Sequence, residues 1–134
     1  MPLHVLLDGD NIQWETFVDN VKQEIDRRFG TDYIPTIFCQ THVLVKFHSL
    51  CETNLRIRAA RTTKKNAADA RMLMEIGKLS TDSKNIIVVS NDKIFEEVVD
   101  DEKIFQIGYL NNFKKTIISK KVVKQTMCEL SILT

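Results

Sequence analysis

Apolar residues fall along this chain in two patterns, continuous short runs and runs spaced at three and four. The continuous ones, Leu3-His4-Val5-Leu6-Leu7 and Ile86-Ile87-Val88-Val89, predict strands 3–7 and 86–89 with both faces covered. Tyr33 to Cys39 predicts another strand, with Pro35 tolerable near its start, and Phe105 to Tyr109 a further one. Leu55-Arg56-Ile57-Arg58-Ala59 alternates apolar and basic, as a half-exposed edge strand does. Spaced runs predict helices. Trp14, Phe17, Val18, Val21, Ile25 and Phe29 mark one face of a helix over 13–29, closed by Gly30. Val43, Leu44, Phe47, Leu50 and Cys51 fit a short helix, and Met72, Leu73, Ile76 and Leu79 the inner face of one over 67–79. Residues 94–100 form another short helix. The pattern of 111–134 has two readings: Ile117-Ile118 and Val122-Val123 suit a strand, whereas Val122, Val123, Met127 and Leu130 suit a helix.

Strands and helices in alternation make this an α/β chain, a three-layer α/β/α sandwich around a mostly parallel sheet. Its 134 residues are read as a single domain, long enough to bury a core. Right-handed crossovers place strands 3–7 and 86–89 side by side at the centre. Their polar ends then meet, and ligands of such sheets bind beyond the carboxyl ends of the central strands.

Composition narrows the class without changing it. Apolar and charged fractions of 43% and 28% are ordinary for a globular protein. No apolar run reaches membrane-spanning length and no signal peptide is visible. The three cysteines are an odd count in a chain large enough not to need staples, which suits an intracellular, reducing compartment, the cytoplasm first. The net charge of +1 is unevenly placed. Arg56, Arg58, Arg61, Lys64, Lys65, Arg71 and Lys78 face only Asp69 and Glu75 over that stretch, while residues 92–102 hold six acids and one base. Local fields of this kind steer a polyanion whatever the total charge.

The first central strand ends in Asp8-Gly9-Asp10-Asn11 and the second in Ser90-Asn91-Asp92, while Asp69 opens the helix that leads into the second. Each piece alone suits a turn or a helix cap. Together they predict three or four carboxylates converging from distant parts of the chain. Carboxylates forced together repel unless a cation neutralises them. Oxygen-only ligation without a nearby histidine suits Mg²⁺ or Mn²⁺ rather than Zn²⁺. The basic stretch beside it would hold the flanking phosphates of a nucleic acid, its simpler reading being a solvated strand face and loop.

Leu6-Leu7-Asp8-Gly9-Asp10-Asn11-Ile12, then Lys65-Asn66-Ala67-Ala68-Asp69-Ala70-Arg71, then Val88-Val89-Ser90-Asn91-Asp92-Lys93-Ile94-Phe95 resemble, in order and spacing, the three motifs of NYN domains. These belong to the PIN-like superfamily of metal-dependent nucleases, and the resemblance spans roughly residues 3–110. It implies strand order near 3-2-1-4-5, a Mg²⁺ or Mn²⁺ cofactor, RNA as partner and substrate, and hydrolysis that leaves a 5′-phosphate and a 3′-hydroxyl. It makes Asp8, Asp69 and Asp92 the catalytic metal ligands. Asp10, Asn11, Ser90 and Asn91 support them. Arg56, Arg58, Arg61, Lys64 and Lys65 are the expected RNA contacts, with Lys65 nearest because it stands just before the acidic helix. One position departs from the pattern: many relatives carry a further acid two residues after the one matching Asp92, and here it is Ile94. Glu75 stands some 120° around its helix from Asp69 and is not expected to share the metal.

Other chemistries are weaker. Cys39-x-x-His42 and His48-x-x-Cys51 have zinc-like spacing, but apolar residues between them fit a packed helix. There is no glycine-rich phosphate loop and no nucleophile elbow. The competing reading is a PIN-like domain that binds RNA or a protein partner without cutting, with homodimerisation through the C-terminal segment a further expectation.

Overall fold

A computed structural model describes residues 3–48, 54–81, 85–99 and 102–110, with the backbone of 115–119. The two continuous apolar runs take the centre of its sheet as β1 (His4–Asp8) and β4 (Ile86–Val89), paired in parallel. On one side follow β2 (Thr36–Cys39) and the edge strand β3 (Arg56–Ala59). On the other follow β5 (Ile104–Leu110) and β6 (Lys115–Ser119). The order is β3-β2-β1-β4-β5-β6. The first five strands are all parallel, in the expected order 3-2-1-4-5, and β6 joins β5 antiparallel.

Side-chain alternation divides the core into two layers. Val5, Leu7, Ile87 and Val89 pack on one face against Phe17, Val21 and Ile25. Leu6, Ile86 and Val88 pack on the other against Met72 and Ile76. The first layer is covered by α1 (Trp14–Thr16), a π-helical segment (Phe17–Val21) and α2 (Lys22–Phe29), run together as one rod. The second is covered by α4 (Ala67–Leu79), which falls where the apolar spacing put it. Between β2 and β3 lie a 3₁₀ turn (Thr41–Val43) and α3 (Val45–His48).

Several boundaries move for identifiable reasons. Strand β2 begins at Thr36 rather than Tyr33, because Pro35 has no N–H to donate to the ladder. The expected helix over 94–100 is a 3₁₀ turn, Lys93–Glu97, a form common in such short pieces. Of the ambiguous C-terminal stretch, Ile117-Ile118 lies in β6. Residues 120–134, with the dimer contact expected there, lie outside the described residues. No helix among the described residues is long and apolar enough to cross a membrane.

Candidate metal centre

Strand parity sets the site. Asp8 follows Leu6 by two residues and Ser90 follows Val88 by two, so both stay on the face that α4 covers. The β1–β4 register pairs Leu7 with Val89, which puts Asp8 and Ser90 one step further on, level with each other. Ser90 Oγ donates to Asp8 Oδ2 at 2.7 Å. Above them the first turn of α4 presents Asp69, and the residue entering the 3₁₀ turn is Asp92. One carboxylate oxygen from each of Asp8, Asp69 and Asp92 lies within 4.8 Å of the others, and this is the only such acidic, histidine or cysteine group among the described residues.

The electrostatics are those of an uncompensated anion cluster. Asp8 is 2% exposed and Asp69 7%, and among the described residues neither they nor Asp92 has an ion-pair partner. Burial pushes the Asp8 carboxyl up from its ordinary 3.8 to about 7; the Ser90 hydrogen bond opposes this, and the charges of Asp69 and Asp10 add to it. Burial likewise raises Asp69, helped by the charges of Asp92 and then Asp10. Asp8 Oδ1 is buried without a hydrogen-bond partner, an arrangement that costs free energy unless something else coordinates the oxygen. An all-oxygen donor set with an orphaned lone pair and no countercharge fits a hard divalent cation such as Mg²⁺ or Mn²⁺.

Of the supporting residues, Ser90 touches the cluster directly through Asp8, whereas Asp10, Asn11 and Asn91 hold the loops. Asp10 Oδ1 accepts from Gln40 N at 2.9 Å, tying the β1 loop to the end of β2. Asn11 Oδ1 accepts from Asn91 N at 2.8 Å, so Asn11 joins the two strand-end loops, and the residue preceding α1 is Gln13. Asn91 Oδ1 in turn accepts from Tyr109 N at 2.7 Å. Asp92 N donates to Ser90 Oγ, and Asp92 Oδ1 accepts from Ile94 N. Gly9 is required by close approach, since a Cβ there would stand 2.7 Å from Ile37 Cγ2 and 3.1 Å from Phe38 O.

Three supports were not anticipated from the sequence. Gln106, buried on β5, donates through Nε2 to the carbonyls of both Ser90 and Asp92. Gly108 leaves room for Asn91, whose Oδ1 would lie 2.6 Å from a Cβ. Gln40 donates through Nε2 to Lys64 O at 2.8 Å, anchoring the basic connection before α4. The available signal was a polar residue in an otherwise apolar strand, Gln106 between Phe105 and Ile107.

The basic residues do not form one track. Arg56 starts β3 and lines a cleft with Leu3, His4 and Tyr33 at the amino end of the sheet, opposite the carboxylates. Arg58 is paired with Glu75 at 2.9 Å and lies over the Phe38 ring, which also accounts for Glu75. Arg61, Lys64 and Lys65 are exposed in the connection from β3 to α4, at the carboxyl end. Arg61 shares a cleft of about 310 Å³ with Arg71. Cys39 is fully buried in the core, its thiol pushed up to about 11 by burial and by Asp10. It is thus a packed residue, and Cys51 lies outside the described residues.

No protein-family model matches the sequence, and no curated protein matches it. What the centre can do is therefore a matter of its own geometry.

Proposed function

We propose that this chain is a metal-dependent ribonuclease, related to the NYN domains, that hydrolyses RNA phosphodiester bonds at Asp8, Asp69 and Asp92. The observation that supports this most is the convergence of those three carboxylates within 4.8 Å, at the carboxyl ends of the two central strands, with no cation of the described chain beside them. Asp8, Asp69 and Asp92 would hold Mg²⁺ or Mn²⁺. Bound there, such an ion polarises a phosphate and makes an adjacent water more acidic.

The chain's own residues do the positioning. Ser90 fixes the Asp8 carboxylate in one orientation. Asn11, Asn91 and Gln106 hold the two strand-end loops at a fixed separation. Arg61, Lys64, Lys65 and Arg71 attract the RNA backbone from the β3–α4 side, with affinity that falls as salt rises. Arg58 is already engaged, and Arg56 stands at the far end. A buried free thiol at Cys39 agrees with a reducing intracellular compartment, the cytoplasm first.

The test is incubation of single-stranded RNA with the chain and Mn²⁺. Cleavage to 5′-phosphate and 3′-hydroxyl ends is expected, reduced on the order of a hundredfold or more in Asp8→Asn and Asp92→Asn. RNA left intact with both Mg²⁺ and Mn²⁺, or cleavage indifferent to those substitutions, refutes the proposal. A second reading, RNA or protein binding without cutting, is favoured by one observation. Ile94 is 37% exposed beside the cluster, where a further acid would complete a second metal position. Stable RNA binding without cleavage in Mn²⁺ selects that reading.

A further inference from the structure

Outside the three carboxylates, a second cleft opens at the loop that follows β1. It measures about 400 Å³, and Asp10, Asn11, Trp14, Glu15, Lys46 and Phe47 are among its walls. That volume falls within the range of small-ligand sites, roughly 300–1,000 Å³. Asp10 and Asn11 belong to the same loop as Asp8, so this opening adjoins the loop that carries the first carboxylate. Trp14 is half-buried. Its ring leans on Phe17, with centroids 5.3 Å apart at 33°, and that contact fixes the indole while part of it lines the cleft. Phe47 is packed in the core and adds an apolar side chain to the lining. Lys46 is exposed and makes no ion pair among the described residues.

Charge decides what can enter. Asp10 and Glu15 oppose a phosphate inside the cleft, whereas a neutral, flat, partly polar group meets the two aromatic residues of its lining, Trp14 and Phe47. Lys46, the single base of the wall, is left to take a phosphate. A base paired in a duplex is stacked between neighbours and cannot supply that face, but an unpaired one can be splayed out onto an aromatic ring.

We propose that this cleft is a nucleotide subsite, in which Trp14 stacks one unpaired base of single-stranded RNA and Lys46 holds its phosphate. It rests on the ribonuclease reading for its substrate class and adds how the strand is gripped. Trp14 is the chain's one tryptophan, so its fluorescence reports on the subsite alone. The full chain is titrated, with Ca²⁺ as the ion, with a labelled oligouridylate and with the same strand annealed to oligoadenylate. Emission and anisotropy are followed together.

Single strands are expected to quench Trp14 and the duplex to leave it unchanged. Trp14→Ala is expected to weaken single-strand binding about tenfold, with Trp14→Phe recovering most of it. Lys46→Gln should flatten the salt dependence of binding. Single-strand binding with Trp14 emission unmoved, or unchanged affinity in Trp14→Ala, overturns the subsite. Cleavage in Mn²⁺ with unmoved emission overturns the subsite and leaves the ribonuclease reading intact. Quenching by RNA that Mn²⁺ leaves uncut does the reverse. Absence of any RNA binding overturns both.

Discussion

Asp8 carries the centre's main conflict, a carboxylate buried among other acids with its Oδ1 unpartnered. The folded chain keeps this proton up to about pH 7, while the unfolded chain releases it near 3.8. Between those values the folded state binds more protons, so without metal this group's contribution to stability falls as pH rises from about 4 to 7 and is level above. A shift of that size corresponds to on the order of 4 kcal/mol. Asp8→Asn removes the charge and keeps an acceptor for Ser90. In chelator, urea unfolding should show the variant more stable than wild type above pH 7, with the difference vanishing toward pH 4. A wild type equally or more stable above pH 7 would contradict this origin of the shift. Burial raises Asp69 as well, with the same sign. At Gly9 the conflict is steric: Gly9→Ala sets a Cβ against Ile37 and the Phe38 carbonyl and should cost about 1–3 kcal/mol by thermal unfolding.

Elements rather than single residues set the separation of the strand-end loops. Strand β5 holds the Ser90–Asp92 loop through Gln106 and through the hydrogen bond from Tyr109 N to Asn91. Gln106→Leu leaves two carbonyls without their donor and should cost about 1–3 kcal/mol; on the ribonuclease proposal, cleavage should fall by more than the loss of folded protein. Gly108→Ala should break the bond to Tyr109 N by displacing Asn91 Oδ1. Across the sheet, Arg58 and Glu75 join β3 to α4 at the surface. Glu75→Gln should change stability by less than about 1 kcal/mol and, on the ribonuclease proposal, leave cleavage in place, because its partner is Arg58. A cleavage loss as deep as that of Asp8→Asn would make Glu75 part of the centre. None of the β5 supports was expected, because hydrophobic spacing identifies what is buried but not which carbonyl a buried amide reaches.

At the scale of the molecule, what was legible followed from continuous patterns. The runs Val5-Leu6-Leu7 and Ile86-Ile87-Val88-Val89 suited doubly covered strands in a chain that alternates strands and helices. That placed them together, and with them Asp8, Ser90 and Asp92. Helix α4 and its Asp69 were legible for a related reason: a clean apolar face fixes rotation, and the first-turn acid follows. The π-helical segment was not, because spacings of three and four describe it as well as a regular helix. Nor was the division of the basic residues, since Arg56 and Arg61 are close in sequence yet lie at opposite ends of a strand. If the carboxylates form a metal site, binding links to folding: Mn²⁺ at a hundred times its dissociation constant should stabilise the chain by about 2.7 kcal/mol, and Asp8→Asn should lose most of that gain. The most direct test is an anomalous difference map from crystals soaked in Mn²⁺. A peak bounded by Asp8, Asp69 and Asp92 is the predicted result; Mn²⁺ bound elsewhere, with no peak among these three carboxylates, would contradict it.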